Sequence, residues 1–225
     1  MNELIIFSPE HLLSILAYSL FFILLIFIGN LFSKRVFSNT LGIIILVIKC
    51  IELFIRHTVY FESIHNLLPL ELCNVALILA ILSIIFKYNF LFQLVFYFSI
   101  GAFFAIIFPE NIPKFYDFRN ISFFLTHFFI IFAAWYEIIH FHFKPNIKGL
   151  FSSFIVLNIL IVVSLKVNSL LGTNFMFTNA KPDVASFLVY LGPWPYYIFA
   201  TEFIFIFLGY IYAFPFRKKR LKYYF

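Results

Sequence analysis

The sequence predicts an all-α protein: a polytopic transmembrane bundle of about seven helices, with the N-terminus outside and the C-terminus cytoplasmic. Three observations lead there. The 225 residues are 64% hydrophobic and only 12% charged, whereas roughly a quarter of a soluble globular chain is charged. The apolar residues fall in seven stretches of about the length that crosses a bilayer, ~20 residues. Lys and Arg collect in alternate connections between those stretches, as they do on the cytoplasmic side of membrane proteins.

The spans fall near 11–32, 41–61, 69–86, 90–108, 121–142, 150–171 and 196–214. They leave no room for a soluble domain, so residues 1–225 form a single integral membrane domain. The first span is preceded by Glu3 and Glu10 and followed by Lys34-Arg35. That is a reversed anchor, without the basic start and small-residue cleavage site of a signal peptide. The second span carries Lys49, Glu52, Arg56 and His57. Positions 49, 52 and 56 share a helix face, so Lys49 and Glu52 can pair within the helix. Such a pair either fixes helix register or serves function. Arg56 and His57, near the outer end, can snorkel.

The third span opens with Pro69-Leu70-Glu71-Leu72-Cys73-Asn74. Pro suits the first helical position, and an acid in the first turn complements the helix dipole. A tight Lys87-Tyr88-Asn89 turn joins spans three and four, read as two crossings. The fifth span holds His127 and, at its inner end, Glu137, His140 and His142. His140 and His142 point to different faces, so exposure explains them more simply than metal binding. The connections 109–120 and 172–195 are the longest, and loops of that length are often functional. The second ends in Tyr190-Leu191-Gly192-Pro193-Trp194-Pro195-Tyr196-Tyr197, which suits an interfacial aromatic belt or a substrate contact. Asn120-Ile121-Ser122 is a glycosylation sequon placed too close to the membrane for use. The 37 Phe define no motif and read, with Ile, as lipid-facing bulk.

Orientation follows from the basic residues. With Arg217-Lys218-Lys219-Arg220 cytoplasmic, that side also receives Lys34, Arg35, Lys87, Lys144 and Lys148. The other side receives only Lys114, Arg119 and Lys181. An even number of spans breaks this asymmetry. The net charge of +6 then belongs to cytoplasmic loops and not to nucleic-acid binding.

Ionisable groups inside a span are costly and face a bundle interior or a wet cavity. A lone Cys or His there is commonly packing, and Cys50 is read that way. Cys73 and His127 differ because spans three and five run in the same direction. Cys73 falls roughly 6 Å and His127 roughly 9 Å from the start of its span. Arg56, His57, Glu71, Asn74, Asn168 and Glu202 lie near the same band, as do the roots of both long loops. A thiol is a nucleophile only as thiolate, and a neighbouring histidine can take its proton and later return it. Neither Cys50 nor Cys73 suggests a disulfide framework.

The residues also resemble a family. Asn168-Ser169-Leu170-Leu171-Gly172-Thr173-Asn174-Phe175-Met176-Phe177, then Lys181-Pro182 and the Gly192-Pro193-Trp194-Pro195 segment, resemble the YwaF family of bacterial integral membrane proteins. Pro69 to Asn74 looks like that family's LPLHLC segment, with Glu71 in place of its His. Arg119 to His127 looks like a segment ending in Ser-His, here with Thr126 before the histidine. The family is similar to an animal transmembrane acyltransferase that remodels ether phospholipids through a Cys and a His. The resemblance implies those roles for Cys73 and His127, with a phospholipid or other acyl lipid as partner and no cofactor or metal. Arg56, His57, Glu71, Asn74, Asn168, Asn174 and Glu202 are the candidate substrate or oxyanion contacts. The expected location is the cell membrane. The competing reading is a non-enzymatic transporter or small-ligand binder, with Lys49, Glu52, Arg56 and His57 along a path.

Overall fold

The computed structural model describes residues 4–109, 116–181 and 187–216. Among these described residues seven α-helices follow one another: α1 (Pro9–Ile28), α2 (Lys34–Thr58), α3 (Leu72–Phe86), α4 (Asn89–Ile107), α5 (Phe118–Phe141), α6 (Ile147–Leu171) and α7 (Tyr196–Ala213). Single 3-10 turns stand at Ile64–Leu67, Phe175–Phe177, Phe187–Leu191 and Phe214–Phe216. Six helices are long and apolar enough to cross a membrane, and α3, with 15 residues, is the short one. The described residues contain no strand.

Local chemistry sets the helix ends. Ser8 caps α1 by accepting from His11 N, with Pro9 at the first position, where its missing N–H costs nothing. Asn146 caps α6 by accepting from Gly149 N at 3.0 Å. Gly172 ends that helix at φ +66, a conformation glycine adopts without strain. The Lys87 turn stands where the sequence placed it. Lys87 itself is left-handed, and its ammonium donates to Ile84 O and Ser38 Oγ and lies 4.2 Å over the Phe141 ring.

α4 and α5 form the centre. α4 packs on α3, α5, α6 and α7, and α5 packs on α1, α2, α3 and α4. Cross-helix bonds show the alternation of direction. At one end Tyr60 bonds Asp117, Glu71 bonds Met176 and His11 bonds Ile106 O. At the opposite end Lys87 bonds Ser38, Tyr136 bonds Lys34 O, and Gln93 bonds Lys144 O and Asn146 N. The first end carries the long connections and is called the loop end below; the second carries Lys34, Arg35, Lys87, Lys144 and Lys148. Lys114 and Arg217, Lys218, Lys219 and Arg220 lie outside the described residues.

Several expectations need correction. α1 and α2 begin earlier than expected, so Lys34 and Arg35 stand in the first turn of α2 and not in the connection. α3 begins at Leu72, with Pro69 three residues ahead of it and Glu71 at the N-cap. Glu71 is therefore not a first-turn acid, and its side chain does not cap the helix. Phe is not only lipid-facing bulk: Phe92, Phe96, Phe98, Phe124 and Phe129 are fully buried between the central helices. Asn120 and Ser122 of the sequon are buried inside α5. His140 is buried, with Nε2 3.1 Å from Ile26 O. Histidine was missed at position 11, where a fully buried ring ties Phe7 N to Ile106 O. The signal was legible in principle, since the last carbonyls of a buried helix need a donor.

Gly149 shows how tightly α6 meets α4. A Cβ there would sit 2.0 Å from Gln93 Oε1 and 2.6 Å from Cδ. Gln93 cannot withdraw without losing its bonds to Lys144 O and Asn146 N. Gly149→Ala is expected to lower stability by about 1–3 kcal/mol, the usual range for overpacking. Thermal unfolding in detergent checks this, and an unchanged midpoint would show that the contact is slack.

Candidate functional site

The site is built from α2, α3 and α5, which pack mutually. Along α2 the buried residues Ser38, Gly42, Ile45 and Glu52 recur at helical spacing, and Lys49 and Arg56 continue the series. The Lys49 ammonium lies 2.6 Å from Glu52 Oε2. The angle is not that of a hydrogen bond, and this oxygen has no hydrogen-bond donor; the pair is a charge contact. Arg56 donates to Glu52 Oε1 at 3.3 Å and to Glu62 Oε2 at 3.0 and 2.6 Å. The four groups form a ladder of alternating charge. An isolated charge near a helix centre costs roughly 2.5–3.5 kcal/mol, and pairing offsets part of that. Arg56 is therefore clamped rather than snorkelling, with three of its five N–H donors held by the two carboxylates.

α3 is recessed. Its last residue is level with Ser38 of α2, through Lys87, and Ser83 Oγ donates to Glu137 Oε2 of α5 at 2.7 Å. Counting from these contacts at 1.5 Å per residue, α3 stops roughly 7 Å short of the end of α2 and ~12 Å short of the end of α5. Cys73 and Asn74 stand at the second and third positions of this recessed helix. Among the described residues, the amide N–H groups of Leu72, Cys73 and Asn74 donate to no partner, and the Asn74 side chain makes no hydrogen bond. Free N–H groups and the helix dipole favour negative charge at such an end.

A turn of the α6–α7 connection roofs the recess. Met176 N donates to Glu71 Oε2 at 3.0 Å. Met176 and Phe177 are held at positive φ, 55 and 51, a strained choice for non-glycine residues. Asn168 holds them there. Its Nδ2 donates to Phe175 O at 3.0 Å and Thr178 Oγ1 at 2.8 Å, and its Oδ1 accepts from Thr173 and Phe175 N at 2.8 Å each. All four of its bonds are used, so Asn168 builds the roof. Asn174 braces the next stretch through Ala180 O, Asn179 N and Ala180 N. Trp194 Nε1 donates to Thr178 O at 2.8 Å, and Tyr197 donates to Phe177 O. The aromatic segment thus anchors the loop through its polar tips, whichever surroundings its ring faces meet.

His127 lies on α5 with Nδ1 2.8 Å from Phe123 O and its ring against Phe123, centroids 4.1 Å apart. A carbonyl only accepts, so Nδ1 carries the proton and the neutral ring keeps its lone pair on Nε2. Ten residues from the Ser83–Glu137 contact along both parallel helices stand Cys73 and His127, which sets the two at one level. No hydrogen bond joins them among the described residues.

The other candidates divide. His57 is exposed, with Nδ1 3.2 Å from Glu62 O. Glu202, on α7, makes no hydrogen bond among the described residues. Asp117 is held below the usual carboxylate range by its hydrogen bonds from Arg119, which lies 3.9 Å over Tyr60; this knot ties the α2–α3 connection to α5. An apolar surface groove runs along α6 from Phe154 to Val163 and belongs to a different helix from the charged ladder. The described residues hold no cluster of metal-ligating side chains.

A model of the TMEM164 family matches residues 6–213, which take in every helix and each group just described. No curated protein and no solved structure matches the chain.

Proposed function

The chain belongs to the TMEM164 family of membrane proteins, and on that premise we propose that it is a membrane-embedded lipid acyltransferase working through an acyl-thioester on Cys73. The observation that carries the reading is a thiol at an uncapped, recessed helix N-terminus, level with a histidine whose Nε2 lone pair is unspent. The resemblance to the YwaF family, and through it to a thiol-dependent acyltransferase, supports it.

His127 Nε2 takes the Cys73 proton, directly or through one water, as Sγ attacks the ester carbonyl. The oxyanion is met by the Cys73 and Asn74 amides and the Asn74 side chain. Collapse breaks the ester C–O bond, and the leaving alkoxide receives the proton from His127. An acceptor hydroxyl then gives its proton to His127 and attacks the thioester, and Cys73 leaves and is reprotonated. The test is intact-mass measurement after incubation with phospholipid, where a gain of one acyl chain on Cys73 is expected. The Lys49–Glu52–Arg56–Glu62 ladder favours the transport reading instead, and loss of function on Lys49 and Glu52 substitution with Cys73→Ser silent would select it.

We place the loop end outside the cell, from the basic residues at the opposite end. A cysteine replacing exposed Asn179, in a chain lacking Cys50 and Cys73, should label from outside intact cells. One replacing exposed Lys148 should not. Reversed labelling moves the site to the inner leaflet.

A further inference from the structure

We propose that Lys49 supplies the positive charge that stabilises the Cys73 thiolate and the ester oxyanion, with Glu52 as the counter-ion that holds it in the resting protein. The assignment rests on the Cys73–His127 reading above and adds a third group to it.

Position comes first. A Cβ at Gly42 would stand 3.8 Å from Ile81 and Ile84 of α3 and 4.0 Å from Phe129 of α5. The buried stripe of α2 therefore faces the seam between α3 and α5. Lys49 lies seven residues from Gly42 toward the loop end, roughly 10 Å. Cys73 lies eight residues from Ile81 in the same direction, roughly 12 Å. The two come to neighbouring levels on facing helices, and His127 stands two residues beyond Phe129.

Capacity comes second. An ammonium carries three N–H donors. The Lys49 side chain is 17% exposed, touches Glu52 Oε2 and makes no hydrogen bond among the described residues. At most one of the three is turned to Glu52, which leaves two for the negative charge that the proposed chemistry develops. Arg56 differs, because both Glu52 and Glu62 occupy it. The groups around Lys49 are thus Glu52 and Arg56 on α2, Glu62 and Glu71 at the loop end, Cys73 on α3 and His127 on α5. A purely structural pair needs only complementary charge within α2. A charge-stabilising Lys49 must also change the reactivity of a thiol on another helix.

The experiment measures N-ethylmaleimide alkylation of Cys73 against pH in the Cys50→Ser protein in detergent, beside acyl-thioester formation. Lys49→Gln keeps a donor for Glu52 but loses the charge. It should slow alkylation at pH 8 about tenfold, the effect of ~1.4 kcal/mol on thiolate formation, and displace the profile to higher pH. Lys49→Arg should restore the wild-type profile. Glu52→Gln, which releases the ammonium, should speed alkylation, and it tests the assignment even where Lys49→Gln does not fold. Unchanged profiles in folded Lys49→Gln, or slower alkylation in Glu52→Gln, overturn the proposal. Lys49-dependent alkylation in a protein that never forms an acyl-thioester leaves the electrostatic assignment standing and removes acyl transfer.

Discussion

Cys73→Ala is expected to gain no acyl mass under conditions where the wild-type protein gains one chain, and to lose all acyl turnover. The substitution removes one sulfur atom from a side chain that makes no hydrogen bond among the described residues, so the fold has little to lose. Chemistry has everything to lose, because no other thiol stands at an uncapped helix start. Cys50 is exposed on the flank of α2, which makes Cys50→Ser the internal control: it should acylate as the wild type does. The recess makes the difference between the two cysteines. Favourable charge at a helix N-terminus contributes roughly 0.3–1 kcal/mol at a wet surface and up to ~2 kcal/mol when partly buried. Oriented amides act most strongly where water is excluded. Equal acyl turnover in wild type and Cys73→Ala would sink the mechanism. Acylation that survives Cys73→Ala and disappears with Cys50→Ser would mark a surface reaction with lipid.

The sequence made seven helices legible because each buries its own backbone bonds in a run of apolar residues, and lipid tolerates no alternative. It also made the common level of Cys73 and His127 legible, since that needs only rise per residue and the direction of two spans. Helix starts were less readable. Pro69 looked like a first helical residue, but the chain makes another turn before α3, and Glu71 turns to Met176 N, 105 positions away. Asn168 looked like a ligand contact for the same reason that it is a good brace: an amide offers two donors and an acceptor to whatever lies near. Only the folded loop shows that all of them are taken. His140 looked exposed at the end of its span because nothing local reveals that α1 passes beside it. Lateral packing is what the one-dimensional pattern does not carry, and the reach of Lys49 toward α3 and α5 depends on that packing alone.

The loop explains how a recessed helix start can hold a defined geometry. The approach to α3 runs through the 3-10 turn at Ile64–Leu67 and then Leu68 and Pro69. The α3 cap is tied to a turn that Asn168, Trp194 and Tyr197 secure from α6 and the start of α7. Residues far apart in the chain thus fix one helix end, and the strain at Met176 and Phe177 is carried by bonds on both sides of them.

His127→Ala is expected to slow acyl-thioester formation by roughly 100-fold at neutral pH, a typical loss for a general base. Phe123 O fixes the Nδ1 proton, so the ring keeps its Nε2 lone pair without choosing between tautomers. In the wild type, rate should fall as pH falls, because a protonated ring has no lone pair to accept the Cys73 proton. In His127→Ala that acid limb disappears as a property of the histidine, and the rate should instead rise with hydroxide. The deficit therefore narrows at high pH, where thiolate forms without a base. The second half-reaction should be slowed as well, since the same nitrogen must take the acceptor's proton. Loaded thioester then turns over slowly even when acceptor lipid is abundant. A merely structural His127 predicts something else: a uniform loss across pH that tracks the amount of folded protein. Rates measured from pH 5 to pH 10 on protein of verified fold separate the two, and a pH profile in His127→Ala parallel to that of the wild type would remove the general base from the mechanism.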